Sequence, residues 1–273
     1  MIRMTNQFSP SYESVTTKSL DSQSVHRSIM PVIAHRGASG FAPENTIAAF
    51  DLALEMNADF IELDVQMTKD GQLVVIHDTS INRTAANAPS ETVFVKDLTF
   101  ASLQNYDVGA GYDSVYEGQR IPLLEDVIRR YKGKTKFLIE LKSPELYDGI
   151  EEACAELLER YELANVLHEE VILQSFNFGS VAYLSQLLPY VPLGVLTSRS
   201  ADLTNRKLDK LAAYTDYVNT HFTNVTLDDT LVSRIHSRGM RIMPWTVRAP
   251  GEVQPLIRAG VDGIITDYPN YVK

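Results

Sequence analysis

The sequence predicts an α/β fold, a closed (β/α)8 TIM barrel with a small insertion after the second strand and its hairpin. From residue 31 onward, short apolar runs alternate with amphipathic helical segments, a pattern typical of βα units and a parallel sheet. Eight such runs match the strand number of a closed barrel. The chain has 273 residues, and such barrels often form one domain of about 250 residues.

The apolar runs define the predicted strands. They cover residues 32–35, 59–65, 136–142, 171–176, 192–197, 216–221, 241–247 and 262–267. Helical segments such as "LLEDVIRRY" and "GIEEACAELLERY" lie between them. The Ser/Thr-rich stretch over residues 1–30 predicts a polar N-terminal extension, because it has few apolar side chains to bury. Residues 31–273 are therefore predicted to form the barrel domain.

A ninth apolar run, over residues 72–78, falls outside the barrel count. The tight-turn sequence "KDG" precedes it, so the run is predicted to return antiparallel beside the second strand. A hairpin centred on this turn brings His77 opposite Leu63 or Asp64. The run that carries His77 and the second strand, which carries Asp64, are thus expected to be neighbours.

Residues 79–120 are rich in turn-forming side chains and contain no convincing long helix. A βα loop normally needs only a few residues. We therefore predict that 79–120 is an insertion subdomain over the C-terminal face of the barrel, where functional loops gather.

Composition and charge restrict the partners. A net charge of −10 and a pI of about 5.1 predict repulsion from nucleic acids and anionic bilayers. No segment approaches the roughly 20 apolar residues of a membrane span, so no stable membrane insertion is expected. The single cysteine, Cys154, excludes an internal disulfide, and the first 30 residues contain no apolar run of signal-peptide length. These features predict a cytoplasmic protein with a small-molecule substrate, and they leave its oligomeric state open.

Carboxylates lie near the ends of two predicted strands, where core packing alone would not place them. Glu62 and Asp64 stand two residues apart and share one strand face, and Glu140 lies on the third strand. Carboxylates that meet at a barrel mouth repel one another unless a cation lies between them. An all-oxygen set suits a divalent metal, Mg²⁺ or Ca²⁺. The alternative is ordinary ion pairs, with Glu140 bound to Lys142 or Arg36.

Two histidines and two cationic side chains are predicted at the same mouth. His35 and Arg36 end the first strand, and the hairpin brings His77 to the carboxylates. Two imidazoles can serve as general base and general acid near neutral pH. Arg36 and Lys142 supply positive charge for a phosphate, which arginine can bind bidentately. With a metal, these groups predict phosphoryl transfer, and no Gly-Lys nucleotide loop accompanies them.

The motifs resemble those of a known family. "AHRGASGFAPENTIAAF", followed by "ADFIELDVQMTKDGQLVVIHD", is similar to the signature of glycerophosphodiester phosphodiesterases. "FLIELK", "QSF", "PWTV" and "GIITDYP" follow in the family's order, so the resemblance covers residues 31–273. It implies a (β/α)8 barrel with a small inserted subdomain. It also implies hydrolysis of glycerophosphodiesters to sn-glycerol 3-phosphate and an alcohol.

The resemblance also implies roles for single residues. The implied divalent-metal ligands are Glu62, Asp64 and Glu140; the acid–base pair is His35 (base) and His77 (acid); the phosphate contacts are Arg36 and Lys142; and Glu44 orients the site. Trp245 resembles the wall beside the glycerol or the leaving group, and Gln174 and Phe176 resemble pocket-lining residues. One position departs from the pattern, because Arg248 follows "WTV" where the family often carries Asn or Asp.

The sequence is compatible with several alternatives. The same site could act on a lipid phosphodiester, as a lysophospholipase D or a phospholipase-C-like enzyme. A non-catalytic phosphate sensor and a carbohydrate isomerase are alternatives on the same fold. The nucleophile is either water or the glycerol 2-hydroxyl of the substrate.

The first strand end carries one further local expectation. Adjacent strand residues point to opposite faces, so the backbone is expected to leave strand geometry at Arg36 if both His35 and Arg36 serve one phosphate. Asn45 or Thr46 is expected to cap the helix that follows.

Overall fold

The computed structural model describes residues 30–165 and 170–272. The strands are β1 (Val32–Ala34), β2 (Phe60–Met67), β3 (Leu73–Val75), β4 (Lys136–Leu141), β5 (Val171–Ser175), β6 (Leu193–Thr197), β7 (Tyr217–Thr220) and β8 (Ile264–Thr266). They form one curled eight-stranded sheet. Seven strands follow the order β7-β6-β5-β4-β2-β1-β8, in which all neighbours are parallel, and β3 pairs with β2 outside this order. The predicted TIM-barrel fold is confirmed.

The predicted seventh barrel strand, 241–247, is not a regular strand. It forms only isolated bridges to its neighbours. Backbone hydrogen bonds join it to β7 through Arg241 and Trp245 and to β8 through Pro244 and Val247. Proline has no N–H to donate, which interrupts a ladder. The segment nevertheless connects β7 to β8, so it occupies the predicted place in the barrel.

The β2–β3 hairpin has the predicted register. β3 pairs antiparallel with β2, with Val75 opposite Val65, and the same register extended by two residues corresponds to His77 opposite Leu63. Ile76 N also donates to Asp64 O at 2.9 Å. The hairpin prediction is confirmed, although the regular strand is shorter than the apolar run 72–78.

Nine α-helices occur within the described residues. They are α1 (Ile47–Glu55), α2 (Phe100–Leu103), α3 (Leu124–Tyr131), α4 (Ile150–Arg160), α5 (Phe178–Leu187), α6 (Asn205–Leu211), α7 (Phe222–Leu227), α8 (Leu231–His236) and α9 (Pro250–Ala259). In α3, Leu124, Val127, Ile128 and Tyr131 are buried, which is the spacing of one helix face. The short helices α2, α6 and α7 were not predicted from the sequence. Within the described ranges, no helix combines the length and apolar character of a membrane span.

The chain from β3 to the start of α3 packs around a small, separate hydrophobic cluster. Its members are Val74, Ile76, Ile81, Ala85, Val95, Leu103, Val108 and Ile121. The only α-helix that the structure describes between residues 79 and 120 is the four-residue α2. The insertion subdomain over 79–120 stays a prediction. The predicted extension over residues 1–30 lies outside the described residues, apart from Met30.

Cys154 lies on α4 with no exposed surface, and burial raises the pKa of its thiol to about 12. The thiolate is the reactive form. We therefore expect iodoacetamide near neutral pH to leave the native protein unmodified and to alkylate it fully in denaturant, as measured by mass spectrometry. Rapid alkylation of the native protein would contradict the buried position of this thiol.

Candidate active site

The backbone turns sharply where β1 ends. Arg36 and Gly37 both adopt the left-handed conformation, with φ of 56° and 80°. A Cβ at Gly37 would lie 2.6 Å from the Ala49 carbonyl carbon, so only glycine fits this turn. The predicted departure from strand geometry at Arg36 is thus confirmed. The turn also lets Arg36 N donate to Glu62 Oε2 at 2.8 Å.

The two residues before α1, Asn45 and Thr46, have different roles, although the sequence predicted only that one of them caps the helix. Thr46 is the N-cap, and its hydroxyl accepts from Ala49 N at 3.3 Å. Asn45 instead bonds Asp64 twice, because Nδ2 donates to Asp64 Oδ2 at 2.8 Å and Oδ1 accepts from Asp64 N at 3.3 Å. Asn45 therefore fixes the orientation of the Asp64 carboxylate, a role that sequence reasoning missed.

The three predicted carboxylates converge. Glu62, Asp64 and Glu140 are all buried, and one oxygen of each lies within 4.8 Å of the others. Strand register accounts for this, since Asp64 lies directly opposite Glu140 in the β2–β4 pair. Such a buried acidic group could hold a metal ion.

Two cations partly neutralise this cluster. Lys142 Nζ lies 2.7 Å from Glu140 Oε1 and 3.8 Å from Asp64 Oδ1, and Arg36 Nε lies 3.2 Å from Asp64 Oδ2. The alternative ion pair of Glu140 with Lys142 is therefore present. It does not satisfy the whole cluster, because Asp64 Oδ1 is buried without a hydrogen-bond partner.

The pKa values of these carboxyls show how the cluster is balanced. Burial raises the pKa of Glu62 well above its usual value, and Asp64 and Glu140 raise it further. Burial opposes ionisation of Asp64 as well, but Arg36 and Lys142 keep its pKa below the usual value. A divalent cation would favour all three ionised forms and would give Asp64 Oδ1 a partner. The residues present thus fit a bound metal.

Each of the two histidines predicted at the site is held by an aspartate. His35 Nδ1 lies 2.6 Å from Asp267 Oδ1, and His77 Nδ1 lies 2.6 Å from Asp78 Oδ1. Although burial opposes it, hydrogen bonds lower the pKa of both aspartates to about 2, so they are ionised at neutral pH. An ionised carboxylate only accepts, so Nδ1 of each histidine is the donor. Nε2 of each ring is thereby left for other chemistry.

An arginine holds the second oxygen of each aspartate. Arg248 Nε donates to Asp267 Oδ2 at 2.5 Å, and Arg83 Nε donates to Asp78 Oδ2 at 2.6 Å. The structure thus contains two hydrogen-bonded His–Asp–Arg networks. Arg248, the residue that departs from the resemblance, belongs to the network that contains His35.

A cavity of about 240 Å³ opens among these side chains. The predicted site residues in its lining are His35, Arg36, Glu62, His77, Glu140, Lys142, Gln174, Phe176 and Trp245. Asp64 lies buried beneath the lining, and Glu44 lies behind Arg36, where its Oε1 accepts from Arg36 Nη1 at 3.0 Å.

One wall of the cavity is aromatic. The Trp245 ring meets Phe176 and His221 edge to face, with centroids 5.4 and 5.5 Å apart. Asn219 supports this wall, because its carbonyl accepts from Trp245 Nε1 at 3.1 Å and its Nδ2 donates to Gln174 Oε1 at 2.9 Å. His221 also lines the cavity.

The structure therefore brings together every site residue that the sequence predicted. It adds residues that sequence reasoning missed or left without a role; these are Asn45, Asp78, Arg83, His221, Arg248 and Asp267. Asp267 ends a predicted strand and Asp78 directly follows His77, so both had a visible signal. Arg83 had none, because it lies in a segment without periodicity.

The comparison with known families identifies the chain. The model of the glycerophosphoryl diester phosphodiesterase family matches residues 35–271. The chain belongs to this family. It is an enzyme, a glycerophosphodiester phosphodiesterase, as the sequence predicted.

Two curated relatives are named as glycerophosphodiester phosphodiesterases. This phosphodiesterase is 39% identical over 241 residues to the glycerophosphodiester phosphodiesterase of Caldanaerobacter subterraneus subsp. tengcongensis, covering 87% of this chain and 94% of that protein. It is 35% identical over 250 residues to that of Bacillus subtilis strain 168, covering 87% and 83%. YhdW of the same Bacillus strain is 44% identical over 244 residues, covering 89% and 96%.

Solved structures share the fold of this phosphodiesterase. An Oleispira antarctica phosphodiesterase, in complex with the product sn-glycerol-3-phosphate, has a TM-score of 0.78 at 25% identity, covering 90% of this chain and 96% of that chain. A glycerophosphodiester phosphodiesterase from Agrobacterium tumefaciens has a TM-score of 0.75 at 25% identity, covering 89% and 98%.

Proposed function

We propose that the protein is a metal-dependent hydrolase that converts glycerophosphodiesters to sn-glycerol 3-phosphate and an alcohol, with His35 and His77 as the acid–base pair. One observation carries the proposal. A buried three-carboxylate cluster lies beside two cations and two histidines that are each oriented through Nδ1 by an aspartate. The Oleispira phosphodiesterase with bound sn-glycerol-3-phosphate supports the product assignment.

Glu62, Asp64 and Glu140 would hold the divalent metal, which we propose is Mg²⁺ or Ca²⁺ because all the ligands are oxygens. When bound, the metal supplies positive charge that polarises a phosphodiester oxygen. Arg36 and Lys142 bind the remaining phosphate oxygens and stabilise the charge that develops during the reaction. Glu44 keeps the Arg36 guanidinium in place through its 3.0 Å hydrogen bond.

The histidines move the protons. His35 Nε2 accepts a proton from the nucleophile as the new P–O bond forms, and Asp267 stabilises the resulting imidazolium. His77 Nε2 donates a proton to the alkoxide as the P–O bond to the alcohol breaks. Burial lowers the pKa of His77, and the ionised Asp64 and Asp78 oppose this shift and so favour the protonated form that a general acid requires.

The uncharged walls of the cavity orient the two arms of the substrate. Trp245 and Phe176 offer aromatic faces, and Phe176 is 46% exposed. Gln174, on β5, is buried and also lines the cavity. We assign these three residues to the glycerol and alcohol groups that flank the phosphate.

A substrate panel tests this proposal. Wild-type protein incubated with glycerophosphocholine or glycerophosphoethanolamine is expected to release sn-glycerol 3-phosphate, which a coupled dehydrogenase assay measures. Phosphorus NMR of the same reactions distinguishes the nucleophiles, because attack by the glycerol 2-hydroxyl produces a cyclic phosphate. Turnover of lysophosphatidylcholine without turnover of glycerophosphocholine would contradict the proposed substrate class in favour of a lysophospholipase D.

The same proposal extends to partners and location. A single small-molecule phosphodiester is the proposed partner, since the cavity of about 240 Å³ suits a compact ligand. The cytoplasmic location is proposed from the one cysteine, which is buried and reduced. That the protein binds no nucleic acid stays a prediction from its net charge.

A further inference from the structure

Arg83 lies outside the barrel strands, on the segment that follows β3, yet its guanidinium sits between two carboxylates of the active-site face. Nε and Nη2 donate to Asp78 Oδ2 and Oδ1 at 2.6 and 3.1 Å. Nη1 and Nη2 donate to Glu44 Oε2 and Oε1 at 2.9 and 2.6 Å. Arg83 thus makes a two-point contact with each carboxylate.

Each of these carboxylates has a second partner in the proposed machinery. Glu44 Oε1 also accepts from Arg36 Nη1 at 3.0 Å, and Asp78 Oδ1 also bonds His77 Nδ1 at 2.6 Å. In residues 30–165 and 170–272, no other side chain hydrogen-bonds to both Glu44 and Asp78. Glu44 therefore connects Arg83 to Arg36, the proposed phosphate contact. Asp78 connects Arg83 to His77, the proposed acid.

The chemistry of guanidinium explains why arginine occupies this position. The planar guanidinium group has five N–H donors and can hydrogen-bond to two carboxylates at once, whereas a lysine ammonium is a single point charge. A carboxylate with two fixed contacts cannot rotate, so its remaining interaction points in one direction. Asp78 then presents Oδ1 to His77, and Glu44 presents Oε1 to Arg36.

Arg83 is not part of the hydrophobic core. Its side chain is 48% exposed, so its removal takes away little buried apolar surface. Other contacts also hold its segment on the barrel. Tyr116 Oη donates to Phe41 O at 2.9 Å, and Gln119 Oε1 accepts from Ala48 N at 3.4 Å. Loss of Arg83 should therefore alter the geometry of Asp78 and Glu44 more than the fold.

We infer that Arg83 is a positioning residue that orients Arg36 through Glu44 and His77 through Asp78 without touching the substrate. The inference rests on the proposed function of Arg36 and His77. Through Arg83, the segment that follows the hairpin contributes to catalysis because it holds both Arg36 and His77 in position.

Steady-state kinetics of the full chain with glycerophosphocholine test the inference. We expect Arg83→Ala to lower kcat by roughly tenfold to a hundredfold and to raise KM, the range typical for residues that orient ligands and catalytic groups. Arg83→Lys should restore only a minor part of kcat. Arg120→Ala is the matched control, because Arg120 lies in the same segment, is 40% exposed and pairs with Asp107.

Two further readouts separate positioning from a structural effect. Millimolar guanidinium should restore part of the kcat of Arg83→Ala but not that of His77→Ala. Nitrogen-15 NMR of the histidine side chains, assigned with His77→Ala, should show that the His77 Nδ1 proton signal is lost in Arg83→Ala and kept in Arg120→Ala. This second readout does not depend on turnover, so it tests Arg83 even if the proposed substrate is wrong.

The outcomes are distinct. Absence of sn-glycerol 3-phosphate release by the wild-type protein would contradict the proposed function. Wild-type kcat and KM in Arg83→Ala, or an unchanged His77 Nδ1 signal, would overturn the positioning role. A fall in kcat that guanidinium does not restore, together with a lower Tm than Arg120→Ala, would also overturn it and assign Arg83 to stability.

Discussion

Replacing His35 or His77 by alanine is expected to lower kcat for glycerophosphocholine by roughly two to four orders of magnitude, the usual contribution of a general acid or base. Both imidazoles line the cavity, and Asp267 and Asp78 fix their Nδ1 atoms at 2.6 Å. Alanine removes the Nε2 atom that accepts or donates the proton. Steady-state assay of sn-glycerol 3-phosphate release measures the effect.

A substrate with a 4-nitrophenol leaving group would separate the two roles. Nitrophenolate leaves without a proton, so loss of the general acid should matter little for that substrate. We expect His77→Ala to be nearly as active as wild type on glycerophospho-4-nitrophenol, and His35→Ala to be impaired on both substrates. The reverse pattern would exchange the two assignments.

His236 provides the matched control for these variants. It lies at the end of α8 and bonds Asp262 Oδ2 through Nε2 at 2.8 Å, away from the cavity lining. His236→Ala should keep wild-type kcat. Circular dichroism and Tm should show that all three variants are folded. Near-normal turnover of glycerophosphocholine by both His35→Ala and His77→Ala would rule out the acid–base pair.

Removing the metal is the second change expected to have a large effect. Treatment with EDTA should abolish turnover, and excess Mg²⁺ or Ca²⁺ should restore it, because the metal supplies several kcal/mol of charge stabilisation at the phosphate. Glu62→Gln should not be restored at the same metal concentration, since it lacks one of the three converging carboxylates. Initial rates over a metal titration measure both effects.

Thermal unfolding tests the metal site without reference to activity. A metal that binds only the folded state raises Tm. We expect Mg²⁺ or Ca²⁺ to raise the Tm of chelated wild-type protein and of Asp126→Asn, which removes an exposed carboxylate on α3. Glu62→Gln should show little or no rise. Hydrolysis that EDTA does not inhibit, with no Tm change on metal addition, would contradict the metal site.

Much of this protein could be predicted from the pattern of its sequence. Alternation of apolar runs and amphipathic segments indicated the barrel, because strands and helices bury side chains with different periods. Glu62 and Asp64 were predicted to share a face because strand side chains alternate. The "KDG" turn set the register of the hairpin and brought His77 to the same place, as the observed pairing confirms.

Patterns of this kind fail where regular structure ends. Segment 241–247 was predicted as a strand from its apolar content, but Pro244 lacks the N–H that a ladder requires. The same limit applies to Asn45, whose left-handed backbone turns its amide toward Asp64 rather than toward the helix it precedes. Loop geometry depends on packing that no local period encodes.

The sequence by itself determined the barrel, the three carboxylates, the two histidines and the two cationic side chains Arg36 and Lys142, because each lies on or next to a predicted strand whose residue spacing fixes its position. Only the tertiary structure decided which groups orient them. His35 meets Asp267 across 232 positions of sequence, and Arg83 meets Glu44 across 39. Such contacts depend on how loops of different strands close over one face, and that closure is set by packing of the whole fold rather than by any local pattern.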